Sequence, residues 1–524
     1  MKRSKRLYHF SKKWHKYIGI SISLILIWMS VSGILLNHID LCAPFNVSKT
    51  WLPSDYLPQH WNRGMIRDAA YIGTDTVLVG GNAGLWISTD KGQTFNSWND
   101  FESYSYYRKI NSLFYYQESQ QVLLSCYGGL YVIDLHQKTS KRIELPSEYR
   151  EKVVKSIPYK EHLIVVTENH VFKGNLSSLS NFEDLAISKD QMTDYNLISY
   201  TFALHSGWLW GLPGKIVYDI ISLLLIFLSV TALYITFRKK KKPSNIDKKK
   251  KVNKWMGWMI KNHTNIGVYV SLFLLIIGGT GFFMRPPALV ALVDGQVPLK
   301  YVPNGLIQNQ WYHSIRNATI NTDTDELILD TKEGVYKGDL KHNAIFTKQD
   351  WAVNIFVMGA TVLDYKGEGH YLVGSFYGLF DYKEGDDFSY DIIYGKGVEK
   401  YNGMERPADY MVMGYFKSPD GIHFISTFQH GLLSIFKTTE ESIYAMPQSL
   451  IDQYHIPLWN YMFELHNGRL FNFLFGKIGI LFIPILSLLF LFITFSGVHE
   501  YLYRKRQKIK KTCTKWYQSL FRKG

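Results

Sequence analysis

Apolar and polar positions along the chain fall into two regimes. Four stretches are apolar for about 20 residues, the length that crosses a bilayer as a helix: Tyr17–Leu36, Val217–Phe237, Ile266–Met284 and Ile478–Val498. Between the first and second, and between the third and fourth, apolar runs are short, rich in β-branched and aromatic residues, and broken by turn residues, as strands are. The first stretch is expected to be retained, because its apolar part is too long for a signal peptide and Asn37-His38-Ile39-Asp40 makes a poor cleavage site. The pattern predicts a membrane protein with four transmembrane α-helices, arranged as a duplicated helix pair, and an all-β, propeller-like exterior.

The strand-rich segments repeat a unit: an apolar strand, a turn, Gly-Leu-aromatic, and a further strand. Copies stand at Gly84-Leu85-Trp86, Gly129-Leu130-Tyr131, Gly334-Val335-Tyr336 and Gly378-Leu379-Phe380, with weaker ones at His170-Val171-Phe172 and Gly431-Leu432-Leu433. Spacings of 45, 41, 44 and 53 residues suit one four-stranded blade per unit. Beside the first copy, Ser88-Thr89-Asp90-Lys91-Gly92-Gln93-Thr94-Phe95 resembles the Asp-box hairpin of sialidase-type propellers, which is structural. Three units precede the central membrane pair and three follow it. They form one six-bladed propeller, two half-propellers, or two unrelated β-rich domains. No paired catalytic carboxylates, His-Glu-x-x-His or nucleophile elbow stands out, so this region reads as a binding module.

Charge orients the spans. The formal net charge of +15 would by itself suit a nucleic-acid or anionic-membrane partner. Residues 1–16, 238–263 and 504–524 hold 27 Lys and Arg against one acid, Asp247, while the rest carries 32 basic and 43 acidic residues, a net −11. Three short basic segments on one face give N-in, C-in topology. The blocks Lys239–Lys242 and Lys248–Lys251 then read as contacts to anionic lipid, not to nucleic acid. The expected division is basic inner segments at 1–16, 238–263 and 501–524, and helices at 17–38, 205–237, 264–285 and 466–500. The β-rich outer segments are 39–204 and 286–465, periplasmic if the membrane is a bacterial inner membrane. Cys42 and Cys126 share the oxidising side, where a disulfide is open to them, and Cys513 lies on the reducing side.

The spans are internally duplicated. His15-Lys-Tyr-Ile-Gly19 matches His263-Thr-Asn-Ile-Gly267 at an offset of 248, as Ser32-Gly33 matches Thr280-Gly281. His205-Ser-Gly207 with Gly214-Lys215-Ile216 matches His466-Asn-Gly468 with Gly476-Lys477-Ile478. A low-spin haem needs two axial imidazoles from facing helices. Repeat symmetry offers His15 with His263 at the inner side and His205 with His466 at the outer side, hence two b-type haems. Unmatched His38 and His499 are reserve ligands. Gly19, Gly33, Gly267, Gly278, Gly279 and Gly281 would admit a flat macrocycle or a neighbouring helix.

Trp14-His15-Lys-Tyr-Ile-Gly19 running into Val31-Ser32-Gly33, with His205-Ser-Gly207, Gly214-Lys215 and Val230-Thr231-Ala232, resembles the PepSY-associated transmembrane family over roughly 120 residues of span. That family includes bacterial inner-membrane ferric-siderophore reductases with two b-type haems. The resemblance implies haem iron held by His15, His205, His263 and His466, and electrons passed outward to iron. The outer segments depart from it, carrying strand repeats where PepSY-type α/β modules are expected.

The expected function is reduction of a periplasmic ferric siderophore or other iron chelate, delivered freely or by periplasmic or outer-membrane iron-uptake proteins. With no Gly-x-Gly-x-x-Gly after a strand, and inner segments too short for a flavin or nicotinamide domain, the donor is a quinol or a separate reductase. The rival is a non-enzymatic sensor or scaffold whose propeller binds a partner. A transporter is the weaker third reading, since the spans hold no acid except Asp219 near one edge.

Overall fold

The computed structural model describes residues 2–147, 150–190, 194–238, 246–293, 295–307, 309–401, 403, 405–435 and 444–521. Lys239–Lys242 lie outside the described residues, as do the side chains of Asp247, Lys248–Lys251, Lys477 and Cys513. The chain forms two compact units: a helical one from 1–39, 195–305 and 459–524, and a β unit from 40–194 and 306–458.

The helical unit contains α1 (Lys2–Asn37), α2 (Leu197–Ser206), α3 (Gly211–Arg238), α4 (Ile246–Tyr269), α5 (Ser271–Phe282), α6 (Leu458–His466) and α7 (Phe482–Phe521). Among the described residues, three helices are long and apolar enough to cross a membrane, within Ser4–Asn37, Trp208–Arg238 and Ile478–Ile509. The third expected span is not straight: Lys254–Tyr269 and Ser271–Phe282 meet at 63°, and count as a fourth span only if the bent pair is one. At the bend the Ser271 hydroxyl donates to Val268 O at 2.8 Å, a side-chain intrusion into the helical ladder of the kind that bends helices. α1 packs on α3 and α7, and the α4–α5 pair packs on the same two, leaving α1 and α4–α5 diagonal. Ile22, Leu26, Ile221, Leu228, Val270, Leu274, Leu486 and Phe490 form the shared core. Leu24 and Leu272 instead face outward, 68% and 65% exposed, as a lipid-facing surface requires.

The two strand-rich segments join in one β unit. Its six main sheets cover 68–97, 110–143, 153–184, 315–349, 362–399 and 412–435. Each buries an apolar face on the next: Leu85 with Ile110, Leu130 with Val153, Val166 with Ile315, Ile328 with Leu363, and Leu379 with Val412. Phe424 of the sixth sheet packs with Val79 of the first, so the succession closes. The opening strands Asp68–Ile72, Ile110–Tyr116, Val153–Tyr159, Ile315–Asn321, Val362–Gly367 and Val412–Lys417 each touch those of both neighbouring sheets and line the axis of this ring. Packing on both faces explains why second strands such as Gln121–Cys126 are almost wholly buried instead of alternating.

The repeated Gly-Leu-aromatic triplet opens the third strand of a sheet. Gly84 has φ +80° and Gly129 φ +126°, and a Cβ on Gly84 would lie 2.1 Å from Asn99 Oδ1. Only glycine suits that tight turn. The Asp-box forms its hairpin: Asp90 accepts from Thr94 N at 2.9 Å, Gly92 N donates to Ser88 Oγ at 2.8 Å, and Phe95 is buried against Trp61. The Ser188–Lys189 strand, just before the helical hairpin, pairs in parallel with Ile345–Gln349 and gives the fourth sheet a fifth strand. Cys42 and Cys126 are buried thiols; the Cys126 S–H donates to Gly129 O, and burial pushes it up to about 12.

Candidate functional site

Four histidines of the helical unit come together as two pairs. The rings of His15 on α1 and His263 on α4 have centroids 6.4 Å apart at 87°, and those of His205 on α2 and His466 on α6 are 6.3 Å apart at 68°. His205 and His466 stand on short helices of their own, apart from the long apolar ones. The motif His-x-Gly sets this: Gly207 at φ +82° and Gly468 at φ +76° take the left-handed conformation that ends those helices. A Cβ on Gly207 would meet Gly214 O at 2.8 Å.

Every histidine of the four is held through Nδ1. His15 Nδ1 lies 2.8 Å from Ile493 O and 3.1 Å from Ser496 Oγ. His263 Nδ1 is 2.8 Å from Thr231 Oγ1, His205 Nδ1 is 3.0 Å from Thr280 Oγ1, and His466 Nδ1 is 2.8 Å from Ser32 Oγ. Each hydroxyl directs its own proton to a carbonyl one turn back, as Thr231 does to Phe227 O, Thr280 to Ile276 O and Ser32 to Trp28 O. The oxygen therefore accepts from Nδ1–H, and a carbonyl can only accept, so the proton of each imidazole is assigned to Nδ1. Nε2 keeps its lone pair, and among the described residues it makes no hydrogen bond in any of the four.

Small residues follow these hydroxyls. A Cβ on Gly33, Gly281 or Gly497 would lie 3.5, 3.2 or 3.0 Å from Cε1 of His466, His205 or His15 respectively. The sequence motifs Ser32-Gly33, Thr280-Gly281 and Ser496-Gly497 thus combine an acceptor for the ring with room for it. Sequence reasoning took the first two as repeat markers and their glycines as room for a macrocycle or a helix, but missed the hydroxyls as ring acceptors and missed Ser496-Gly497; the recurring hydroxyl-then-small pair was the available signal. A Cβ on Gly278 would meet Phe490 and Leu491, a helix contact, while one on Gly19 or Gly279 would meet nothing within 4 Å and one on Gly267 would reach only Leu228.

The reserve histidines are placed differently. His38 Nε2 lies 2.7 Å from Asp219 Oδ2, which uses the nitrogen a ligand would offer. His499 Nδ1 is buried and, among the described residues, has no hydrogen-bond partner. Neither joins a pair.

Two imidazoles binding one metal ion through bonds of roughly 2 Å, with roughly 1.1 Å from nitrogen to ring centre, would have centroids roughly 6.3 Å apart. Both observed separations equal that value within 0.1 Å. The arrangement would suit a metal ion held between two imidazole nitrogens, in which the hydrogen bond at Nδ1 fixes each ring's tautomer and orientation.

No curated protein matches the chain. Solved structures resemble it only distantly. The extracellular domains of two hybrid two-component systems of B. thetaiotaomicron share 10% identity with it, at TM-scores of 0.34 and 0.35. These alignments cover 72% and 71% of this chain but 34% and 39% of theirs, so the chain spans little over a third of their length. YCF48 from Cyanidioschyzon merolae is 9% identical at a TM-score of 0.28, over 72% of this chain and 97% of its own. Likeness at this level carries nothing about function. A family model identifies the chain: residues 1–240 and 188–339 match the PepSY-associated TM region, and the chain belongs to that family.

Proposed function

We propose that this protein is a dihaem, b-type membrane reductase of the bacterial inner membrane, N-in and C-in, which passes electrons outward to periplasmic ferric chelates, siderophore-bound iron included. The observation that carries this reading is the pair of opposed imidazole couples, each with Nδ1 spent and Nε2 left over. His15 and His263 would hold one haem, and His205 and His466 the other. Haem so ligated supplies a one-electron carrier that needs no bound substrate of its own.

The protein's own residues do the rest. The Ser32, Thr231, Thr280 and Ser496 hydroxyls, with Ile493 O, keep each ring turned and raise the basicity of its Nε2. Ile22, Leu26, Leu228 and Phe490 keep water out of the bundle between the couples. Along α1, His15 and the Ser32 that holds His466 are 17 residues apart, about 25 Å at 1.5 Å per residue. The β unit is read as a six-bladed propeller that docks the chelate or its carrier protein. Iron leaves the chelate after reduction because hard oxygen donors hold Fe(II) more weakly than Fe(III). Electrons come from a quinol or a separate reductase.

The test is a reduced-minus-oxidised spectrum of the purified protein with its haem-to-protein ratio. Two bis-histidine b-type haems per chain are expected, and His205→Ala and His466→Ala should each remove one while leaving the other's bands in place. Absence of b-type bands in the intact protein sinks the reductase reading and leaves a membrane-anchored binding protein.

A further inference from the structure

One end of the β ring's axis gathers positive charge that the helical unit does not use. Arg67, Lys109 and Lys152 each stand immediately before the innermost strand of the first, second and third sheets. Backbone lacing repeats at this level: Tyr127 N donates to Lys109 O at 2.9 Å, Glu168 N to Lys152 O at 3.2 Å, and Lys332 N to Ser314 O at 3.0 Å. The same end therefore collects Tyr127, Glu168 and Lys332, with Arg316 on the fourth sheet's innermost strand. Five cations stand there against the carboxylates of Glu168, Asp330 and Glu333, the last already paired with Lys189. Glu168 already engages His313 at 3.0 Å, and Asp330 accepts from Ala360 N at 2.7 Å. Among the described residues, no carboxylate lies within ion-pair distance of Arg67, Lys152, Arg316 or Lys332.

Aromatic rings line the cluster. The Lys109 ammonium is 4.8 Å from the Tyr106 ring and 5.1 Å from the Tyr127 ring, and Lys152 is 4.5 Å from Tyr127. Lys109 is 6% exposed, whereas Arg67, Lys152 and Arg316 are half-buried and Lys332 is exposed, all four reachable by solvent. Arg67 is oriented by Asn111 Oδ1 at 2.9 Å, yet its buried Nε has no acceptor. Titration behaviour agrees with a surplus of positive potential. Lys152, with Arg67 and Lys109 adding, pulls the Tyr127 hydroxyl down to about 7, and burial pushes Lys109 down to about 8. Like charges gathered in excess of the carboxylates beside them oppose folding, and an anion would offset that excess.

We infer that the axis of the β ring binds a multiply charged, oxygen-rich anion, and that the ferric chelate this protein handles is therefore of the anionic catecholate or carboxylate class. The second half rests on the reductase reading; the anion site stands without it. Arg67 offers a planar fork for paired oxygens, and the lysines act as point charges around it. The tyrosine rings suit the aryl faces of a catecholate.

The experiment uses the full chain in detergent and gallium(III) complexes, which copy ferric charge and shape without accepting electrons. Calorimetric titration with gallium tris-catecholate should show binding that weakens about tenfold or more from low to high salt. An uncharged gallium trihydroxamate should bind far less. Arg67→Gln and Lys152→Gln should each weaken tris-catecholate binding about tenfold, while Lys152→Arg retains it, which separates lost charge from lost fold. Equal binding of the two complexes, or unchanged binding by the Arg67→Gln/Lys152→Gln double variant, overturns the site. Binding by a protein without haem bands overturns the reductase reading alone. Haem bands without tris-catecholate binding overturn the anion site alone.

Discussion

Glycine-to-alanine changes at four positions form a graded test of how tightly the histidine rings are held. The added Cβ would meet His15 Cε1 at 3.0 Å in Gly497→Ala, His205 Cε1 at 3.2 Å in Gly281→Ala and His466 Cε1 at 3.5 Å in Gly33→Ala, and nothing within 4 Å in Gly19→Ala. Carbon pairs rest at about 3.5–4.0 Å, so the His15 ring must move by roughly half an ångström, the His205 ring by a few tenths, and the His466 ring hardly at all. Overpacking of this sort costs about 1–3 kcal/mol. At about 1.4 kcal/mol per tenfold, Gly497→Ala should release haem from the His15–His263 couple about 5- to 150-fold more readily. Gly281→Ala should act on the other couple at the low end of that range, about fivefold. Gly33→Ala and Gly19→Ala should keep wild-type haem retention. The assay is transfer of haem to an excess of apomyoglobin, followed through the bands of each centre and paired with a redox titration. If Gly19→Ala or Gly33→Ala loses haem as fast as Gly497→Ala, these contacts do not set the ring positions and the reasoning fails.

Thr231→Val keeps the shape of the side chain and removes the acceptor for His263 Nδ1; it should cost about 10–100-fold in haem affinity at the His15–His263 couple alone, with Thr231→Ser restoring it, as haem-to-protein ratios will show. Lys189 is 1% exposed, pairs with Glu333 at 2.5 Å and lies 4.9 Å from the Trp311 ring. Lys189→Ala should destabilise the β unit by about 3–5 kcal/mol by leaving Glu333 without its cation, read as a lower melting temperature, and Lys189→Met with Glu333→Leu should recover much of it. Asp90 is held down to about 2 by the Ser88 and Thr94 hydroxyls and the Thr94 amide. Its folded pKa is below the ordinary value of 3.8, so its contribution is complete above about pH 4 and disappears as pH falls towards 2. The melting temperatures of wild type and Asp90→Asn should therefore differ at neutral pH and converge in that acid window.

The spans, the duplication and the four histidines were legible because each is written locally: about 20 apolar residues, an offset of 248, or a His followed two residues later by Gly. The bend at Ser271 was not, since Ser inside an apolar run reads as tolerated until its hydroxyl is seen on Val268 O. The partners of the histidines were hidden for a different reason. Ser496 is 481 residues from His15 and meets it only because α7 packs beside α1. His38 stood as a spare ligand because it is unmatched at a span end, and its contact with Asp219 was hidden by the 181 residues between them. Strand repeats announced the sheets, yet the closure of sixth on first rests on Phe424 and Val79, which no repeat spacing could bring together. The cationic axis was equally silent, since Arg67, Lys109 and Lys152 sit about 40 residues apart and look like ordinary turn charges.

The placing of the helical hairpin between the third and fourth sheets has a consequence for biogenesis. The chain leaves the ring after Ser188–Lys189, runs through α2 to α5, and re-enters at Ile315–Asn321. Until the second half is made, the first three sheets form an open arc. Val166, Leu185 and Ile187 at one end and Val79 and Trp86 at the other are then bare, and Ser188–Lys189 has no strand to join. Exposed apolar faces and a waiting strand are what chaperones recognise and what aggregation exploits. The apolar helices in the middle, α3 to α5, are made before the arc can close, so arrest of synthesis at α4 should strand a half-ring that proteases remove.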